Sequence, residues 1–421
     1  MLNIKYIRDN IEAVKKTMTA RNFKASVIDE LVDLDKNKRD FQTQLEEIRG
    51  AKNKFNKEIY KLSDKEKKSK IVEMTALVKK EEKLEQDLAT TIETFNKLMA
   101  DVPNIPQSDV PVGKDSSDNE EIKKVGAPTK FDFKNKTHVE IGESLDLIDT
   151  RTAGKVSGSR FAYLKNEAVL LEFALIRYAF DTILKEGFTP VLPPMLIKEE
   201  MMQGLGYLSG QGEAETYHFA KDKMYFTGTA EHSLIPMHAD DIFQEKELPK
   251  RYVGFSSAFR REAGSYGKDT KGIFRLHQFD KVEMVSYTKP EDSEKEHQFL
   301  LSLSEKLMTG LNLPYRVVKL CTGDMANPSA KTYDIETWLP SEKTYRETHS
   351  ISNCTAYQAR RLKIRYKAKD GTNHFVHTLN GTGFAIGRIL IMILENYQQK
   401  NGSVKVPEAL QSYLNFKIIK K

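Results

Sequence analysis

The strongest constraint on the fold lies in residues 31–98, where apolar side chains recur alternately three and four positions apart. Leu31, Leu34, Lys38, Phe41, Leu45, Ile48, Lys52, Phe55, Ile59 and Leu62 form the first stripe, and eight of its ten positions are apolar. An average spacing of 3.5 keeps a stripe on one side of a helix, where it must bury against a partner helix. Ser63 and Asp64 then interrupt the pattern and can cap a second helix, with Lys67 standing where a capping box would place Glu. The second stripe runs Met74, Leu77, Glu81, Leu84, Leu88, Thr91, Phe95 and Leu98, widened by Val78 and Ile92. Two such helices joined by a short turn predict an antiparallel hairpin over about residues 28–99. At ~1.5 Å rise per residue its length is about 50 Å. A shorter amphipathic helix is expected ahead of it, from about Lys5 to Thr19, because Ile4, Ile7, Ile11, Val14 and Met18 keep helical spacing.

Charge is uneven along this arm. From Lys52 to Lys70 there are eight lysines against Glu58, Asp64 and Glu66, all near the tip of the predicted hairpin. A flexible lysine surface suits salt-dependent contact with a phosphate backbone and little base reading. The same residues fit a dimerisation coiled coil, or helices lying on a larger domain with lysines that merely solvate them. Pro103, Pro106 and Pro111 and the polar run 113–119 break helical continuation. The boundary is therefore placed near residue 105. An N-terminal domain covers 1–105, a second domain covers 106–421, and a linker spans about 101–125.

Composition excludes several classes. Hydrophobic content of 39% with 30% charged residues fits a folded, soluble chain, and a net charge of +6 on 66 basic and 60 acidic residues permits a polyanionic partner without requiring one. There is no apolar run of membrane-spanning length, and MLNIKYIRDN lacks the apolar stretch of a secretory leader. A cytoplasmic protein with no membrane contact is expected. Cys321 and Cys354 are the only cysteines and the nine histidines are scattered, so neither disulfides nor a zinc site is expected.

After residue 130 the pattern becomes mixed. A helix is expected from about Asn166 to Lys185, ended by Gly187. Strand-like runs follow at 223–227, 252–259, 272–287, 332–339 and 375–379, and a mostly apolar helix is expected from Ala385 to Glu395. The fold class is α+β. No G-x-G-x-x-G opens a βαβ unit and no G-x-x-x-x-G-K-[ST] loop is present, so neither a dinucleotide fold nor a P-loop is supported.

The chemistry concentrates in FRREAGSYGKDTKGIFRLHQF, residues 259–279. Two strand-like ends flank a glycine-rich loop, with Arg260 at one end and Arg275 at the other, where both can reach a polyphosphate. Phe279 and Glu283 lie four apart on one strand face, with Lys281 between them. Further on come Asp334-Ile335-Glu336, Glu347 and Ser350, and then NGTGFAIGR, residues 380–388. There a turn is expected to feed a helix that carries Arg388 in its first turns, where helix dipole and guanidinium both favour an anion.

These segments resemble the seryl-tRNA synthetases of the common bacterial type, a branch of the class II aminoacyl-tRNA synthetases. Three class signatures occur in order: Gly187 to Pro194, Phe259 to Glu283, and Asn380 to Asn396. FRREAGSYGKDTKGIFRLHQFDKVE is specific to the seryl branch, and the resemblance covers essentially the whole chain, arm and linker included. It implies an antiparallel sheet flanked by helices, an N-terminal antiparallel coiled-coil arm, and a homodimer built largely on the first signature.

Site residues follow from the same resemblance. Arg260 would bind the α-phosphate of ATP and the substrate carboxylate. Glu262 would recognise the adenine amino group, Phe279 would stack on adenine, and Arg275 and Arg388 would hold the outer phosphates. Glu347 and Ser350 would coordinate Mg²⁺. L-serine would be bound by Thr229 and Glu231 through its amino group, by Glu283 through amino and hydroxyl groups, and by Thr382, with Asn380 beside it. His277 is expected to be structural. The implied reaction joins serine to the terminal adenosine of tRNA(Ser), and of tRNA(Sec) where that exists, by way of seryl-adenylate. Two departures from the family pattern stand out: Thr227-Gly228 ahead of Thr229, where Ile-Pro is common, and Thr348-His349 between the metal ligands. Competing readings are a synthetase-like enzyme that loads another acceptor and a tRNA-binding homologue without catalysis. The second would be expected to lack one of Arg260, Arg275, Glu347 or Arg388, and all four are present.

Overall fold

The structure is a computed structural model that describes residues 1–208, 212–263 and 271–421. The glycine-rich stretch 264–270, part of the expected loop between Arg260 and Arg275, lies outside the described residues. The chain divides into two compact units, Leu2–Val102 and Pro103–Lys421.

In the first unit, α1 (Ile4–Asp9) and α2 (Ile11–Ala20) replace the single opening helix read from the sequence. The apolar spacing continues across the break at Asn10, whose side chain donates to the Tyr6 carbonyl at 3.0 Å and ends the first helix. The hairpin follows as α3 (Ser26–Glu58) and α4 (Asp64–Asp101). Residues 59–61 tighten into a 3₁₀ turn, so the last two positions of the first stripe lie beyond α3. Leu45, Ile48 and Leu84 are buried between the helices, packed with Phe41, Leu77 and Leu88. The polar seam positions also find partners. Lys52 meets Glu81 at 2.5 Å, and Lys38 lies over the Phe95 ring at 4.5 Å. A capping box does open α4. Its N-cap is Ser63, which makes Glu66 the third helical residue, and the Ser63 amide donates to the Glu66 carboxylate at 2.9 Å. The expectation of Lys67 at that position was off by one residue.

The second unit is built on an eight-stranded sheet. In chain order its strands are β1 (Glu120–Val125), β2 (Thr189–Val191), β3 (Lys250–Phe259), β4 (Gln278–Thr288), β5 (Tyr315–Lys319), β6 (Lys331–Leu339), β7 (Thr344–Asn353) and β8 (His377–Ala385). In space the order is β1-β5-β6-β7-β8-β4-β3-β2. Neighbours are antiparallel except β2 and β3, which run parallel, so the expected antiparallel sheet carries one parallel edge.

Helices cover the sheet because their apolar stripes need it. The helix α5 (Glu167–Ile183) buries Leu171, Ala174, Leu175 and Ala179 at helical spacing, and Gly187 ends the segment with φ 81°, a conformation that suits glycine. The helix α6 (Ser293–Gly310) packs on β7 and β8, and α7 (Ile386–Asn396) is buried along most of its length, as its apolar run Ile389–Leu394 requires.

Two strand expectations are corrected. The run 272–287 becomes strand only from Gln278, and the run 375–379 divides, with Asn373–Phe375 in a small separate sheet and His377 opening β8. The turn expected at NGTGFA is instead the buried middle and end of β8. Gly381 and Gly383 serve packing there: a Cβ on Gly381 would lie 3.3 Å from Ile351, and one on Gly383 would lie 3.0 Å from Val282. Arg388 is thus delivered by a strand that runs straight into α7.

Candidate active site

The sheet floor brings distant residues into register. Glu283 on β4 pairs with Thr382 on β8, Gly381 pairs with Ile351 on β7, and Ser350 pairs with Asp334 on β6. The Ser350 amide points at the Thr382 hydroxyl at 3.4 Å. A loop forms one wall. The Thr227 amide donates to Met195, and the Thr227 carbonyl accepts from Phe259 at 2.9 Å. That clamp presents Gly228 and Thr229, and a short helix, Glu231–Leu234, begins two residues on.

The result is a cleft of about 640 Å³ above the sheet, within the size range of small-molecule sites. Arg260, Glu262, Arg275, Phe279, Glu347, Ser350, Arg388, Thr229, Glu231, Asn380 and Thr382 all line it. Glu283, the remaining candidate, is fully buried behind Lys281. Residues not singled out from the sequence also line it, among them Tyr207, His232 and Ser352, and Lys281 and Thr348, noted in the sequence without a role, join them.

Charges in the cleft are paired. Arg275 donates to the Glu262 carboxylate, and the Arg388 guanidinium lies 3.0 Å from a Glu347 carboxylate oxygen. Lys281 sits 2.5 Å from Glu283 and donates to the Thr229 hydroxyl at 3.2 Å. Arg260 differs. Its guanidinium lies over the Phe279 ring at 5.2 Å and donates to the Gly228 carbonyl at 3.2 Å; no carboxylate among the described residues is in ion-pair contact with it, although its charge reaches Glu347, Glu231 and Glu283. Phe274 carries two guanidinia, Arg346 at 4.0 Å and Arg388 at 4.8 Å from its centroid, an arrangement that keeps both cations oriented.

Burial sets the electrostatics. At one corner Glu231 is raised to about 7, chiefly by loss of water and then by the nearby Glu283, against the pull of Lys281 and of Tyr207, whose hydroxyl donates to it at 2.6 Å. Glu283 is raised for the same first reason, with Lys281 opposing. His232 is lowered to about 3 by burial and then by Arg260 and Lys281, so its ring is neutral and accepts from the Gly228 amide at 3.1 Å. A proline at 228 could not make that bond. At the other corner the Glu347 side chain is half exposed, and partial loss of water, which would raise it, is outweighed by Arg388, Arg260 and Lys281, which hold the carboxyl below its ordinary range. Burial and then Glu347 push Asp334 well above its ordinary range.

Asp334 has one carboxylate oxygen with no hydrogen-bond partner among the described residues. With Glu347 and the Ser350 hydroxyl it offers only hard oxygen donors, and no group of three His, Cys, Asp or Glu suited to a metal is present among the described residues. Such a set fits Mg²⁺, which keeps waters and takes phosphate oxygens to complete its shell. His349 turns away from the cleft. It is buried, bonded to the Thr348 hydroxyl at 2.9 Å, and lowered to about 3 by burial. The bulge between Ile335 and Glu336 puts Thr348 on the cleft side instead. The His277 ring meets the Arg260 carbonyl at 2.9 Å and holds the end of β3, a structural role.

Sequence comparison identifies two family models. Residues 1–106 match the seryl-tRNA synthetase N-terminal domain, and residues 217–397 match the tRNA synthetase class II core domain of the G, H, P, S and T enzymes. The serine-tRNA ligase of Petrotoga mobilis is 43% identical over 424 residues, covering all of both chains. Among solved structures, the seryl-tRNA synthetase of Pyrococcus horikoshii complexed with ATP superposes with a TM-score of 0.94 at 39% identity, covering 100% of this chain and 99% of that one. The cytoplasmic enzyme of Naegleria fowleri in complex with AMP gives 0.87 at 32% identity, with the same coverage.

Proposed function

Since the chain belongs to the seryl-tRNA synthetases, we propose that its cleft joins L-serine to ATP and passes the activated serine to the terminal adenosine of tRNA(Ser). The observation that carries this reading is the meeting of two unlike corners in one cleft. One is lined by carboxylates and hydroxyls suited to an ammonium and an alcohol, the other by arginines suited to phosphates.

Serine lies with its amino group toward Thr229, Glu231 and Glu283. Its hydroxyl faces Glu283 and Thr382, with Asn380 alongside. Adenine lies against Phe279, and Glu262 accepts from its amino group once Arg275 turns to phosphate. Arg260, with no carboxylate in ion-pair contact among the described residues, holds the serine carboxylate and the α-phosphate side by side. The carboxylate oxygen attacks the α-phosphorus, a new C(O)–O–P bond forms, and the bond to pyrophosphate breaks with its electron pair leaving on pyrophosphate. Arg275 and Arg388 receive that charge. The adenosine hydroxyl of the tRNA then attacks the serine carbonyl and AMP departs. Neither step needs a protein nucleophile. Orientation and charge stabilisation carry the rate. Mg²⁺, held by Glu347 and Ser350 with Asp334 adjacent, would supply Lewis-acid stabilisation of phosphate charge.

A pocket that hydrogen-bonds the hydroxyl rejects alanine, because alanine leaves buried Glu283 and Thr382 unpaired. The hairpin α3–α4 supplies tRNA contact through its lysine-rich tip, and tRNA(Sec), where present, is a second acceptor. The enzyme acts in the cytoplasm. No helix among the described residues is long and apolar enough to cross a membrane. Exposed Leu170 and Phe173 on α5, with Leu192 and Met195 beyond it, support a homodimer through this face. Pyrophosphate exchange with each of the twenty amino acids, followed by charging of total tRNA, tests the reading. Exchange driven best by serine and charging confined to serine acceptors are expected, and exchange driven by another amino acid would overturn it.

A further inference from the structure

Lys281 stands between Phe279 and Glu283 on β4, and the reaction described above gives it no task. It is nearly buried, and its ammonium rests on Glu283 and Thr229, two of the groups assigned to the serine amine. The charges around it show what it contributes. Burial and mutual repulsion favour a proton on the Glu231–Glu283 carboxyl pair, and Lys281, in contact with Glu283, and more weakly Arg260 oppose it, so that a substrate ammonium arriving beside them completes the pairing of the ionised carboxylates. Without Lys281, two buried carboxylates share one corner, and like charges at close range without water favour protonation of one of them. A protonated carboxyl presents a donor to an ammonium, which has only donors of its own.

We propose that Lys281 is a positioning residue of the serine site, whose ammonium stays on Glu283 and Thr229 when substrate binds and keeps both carboxylates as acceptors for the substrate amine. The proposal rests on the assignment of Glu231 and Glu283 to that amine. Lys281 is the cation in direct contact with Glu283 among the described residues. Arg260 also favours the ionised form of both carboxyls, but less than Lys281 does and with its guanidinium resting on Phe279 and the Gly228 carbonyl, and the His232 ring is neutral. The Tyr207 hydroxyl already serves Glu231, and burial holds both Tyr207 and the Cys354 thiol in their protonated forms.

The test compares full-length Lys281→Met, Lys281→Gln and Lys281→Arg with the parent in serine-dependent pyrophosphate exchange from pH 6.5 to 9. Both neutral variants are expected to raise the KM for serine by about tenfold or more at pH 7, while the KM for ATP stays within about twofold. Their KM ratio to the parent should narrow toward pH 9, where rising pH ionises the carboxyl that the lysine no longer holds. Taking the ratio cancels the titration of serine itself. Lys281→Arg should keep the parental pH profile, and Lys281→Gln reports even if the Met variant fails to fold. The proposal is overturned by an unchanged serine KM, by a ratio flat in pH, or by a loss confined to ATP. A lowered serine KM also overturns it, since the lysine would then be a competitor that leaves when serine arrives. Glu283→Gln is measured alongside. If it leaves serine KM unchanged, the serine assignment fails and the lysine proposal with it. If it raises KM while Lys281→Met does not, only the lysine proposal falls.

Discussion

The hairpin and the cleft each contain a lysine-glutamate pair 2.5 Å apart, Lys52 with Glu81 and Lys281 with Glu283. The chemistry and the distance are the same, but the surroundings are not. The hairpin pair has side chains 35% and 12% exposed, and the cleft pair 11% and 1%. In the hairpin, water screens the charges and the apolar seam around Leu45, Ile48 and Leu84 does the holding. In the cleft, each charge needs a partner, and removing one leaves the other stranded. The comparison predicts that single charges decide activity in the second unit, whereas whole surfaces decide it in the first.

The largest effect should come from Arg260→Ala. Arg260 is the cleft arginine with no carboxylate in ion-pair contact among the described residues, so its loss removes a group left available for substrate charge. A fall of about a thousandfold in kcat/KM for pyrophosphate exchange, equivalent to ~4 kcal/mol, is expected without loss of fold. A residual activity within tenfold of the parent would break the comparison at its strong end.

Removal of residues 28–99 should act on the other unit alone. Pyrophosphate exchange is expected to stay within about twofold while charging of tRNA falls at least about a hundredfold, or ~2.7 kcal/mol. Equal loss of both activities would show that the hairpin is needed for the cleft itself. Substituting Lys67, Lys68 and Lys70 one by one would refine the result: if they touch phosphates, each should lower the salt dependence of tRNA binding by roughly one unit of slope.

The same contrast explains what could be read from sequence. Hairpin contacts repeat along the chain, so the positions of Leu45, Leu84 and Phe95 announced their own burial. Gly187 announced a helix end, and Arg260, Arg275 and Arg388, read from the sequence as candidate anion-binding groups, all line the one cleft. Lys281 and Asp334 were visible in the sequence but carried no role there. Lys281 acquires its meaning from Thr229, 52 residues away, and Asp334 from Ser350 across a strand pair. Gly381 and Gly383 misled because glycines with Asn380 read as a turn, whereas here they make room for Ile351 and Val282 inside the sheet. The break at Asn10 escaped notice because a one-residue cap leaves apolar periodicity intact. Only a side chain turning back on the backbone reveals it.

A smaller effect should come from pH. Glu231 is raised from 4.5 to about 7 by burial and by Glu283, so between those values the folded chain holds a proton that the unfolded chain has released. Stability of the second unit without substrate should therefore fall as pH rises through that window. Serine brings an ammonium that prefers the ionised pair, so its stabilising effect should grow over the same range. The two carboxyls titrate together, and the midpoint belongs to the pair. The rise in Tm on adding saturating serine is expected to be larger at pH 8 than at pH 6, and Glu231→Gln should flatten the difference. A larger rise at pH 6 would place the ammonium away from these carboxylates.

The smallest effect should come from the hairpin pair itself. Lys52→Met, Glu81→Gln and the double variant form a thermodynamic cycle on a contact as short as the one in the cleft. Arg49 also reaches Glu81 at 3.4 Å and Glu85 at 2.8 Å, so loss of Lys52 leaves Glu81 a second cation and open water. Each single change is expected to move Tm by about 2 °C or less, and the coupling between them should be smaller still. The matched cycle with Lys281→Met and Glu283→Gln should show strong coupling, because either single change strands a buried group and the double change removes both. Equal coupling in the two cycles would mean that distance alone governs these pairs, and the division between a screened hairpin and a desolvated cleft would fall with it.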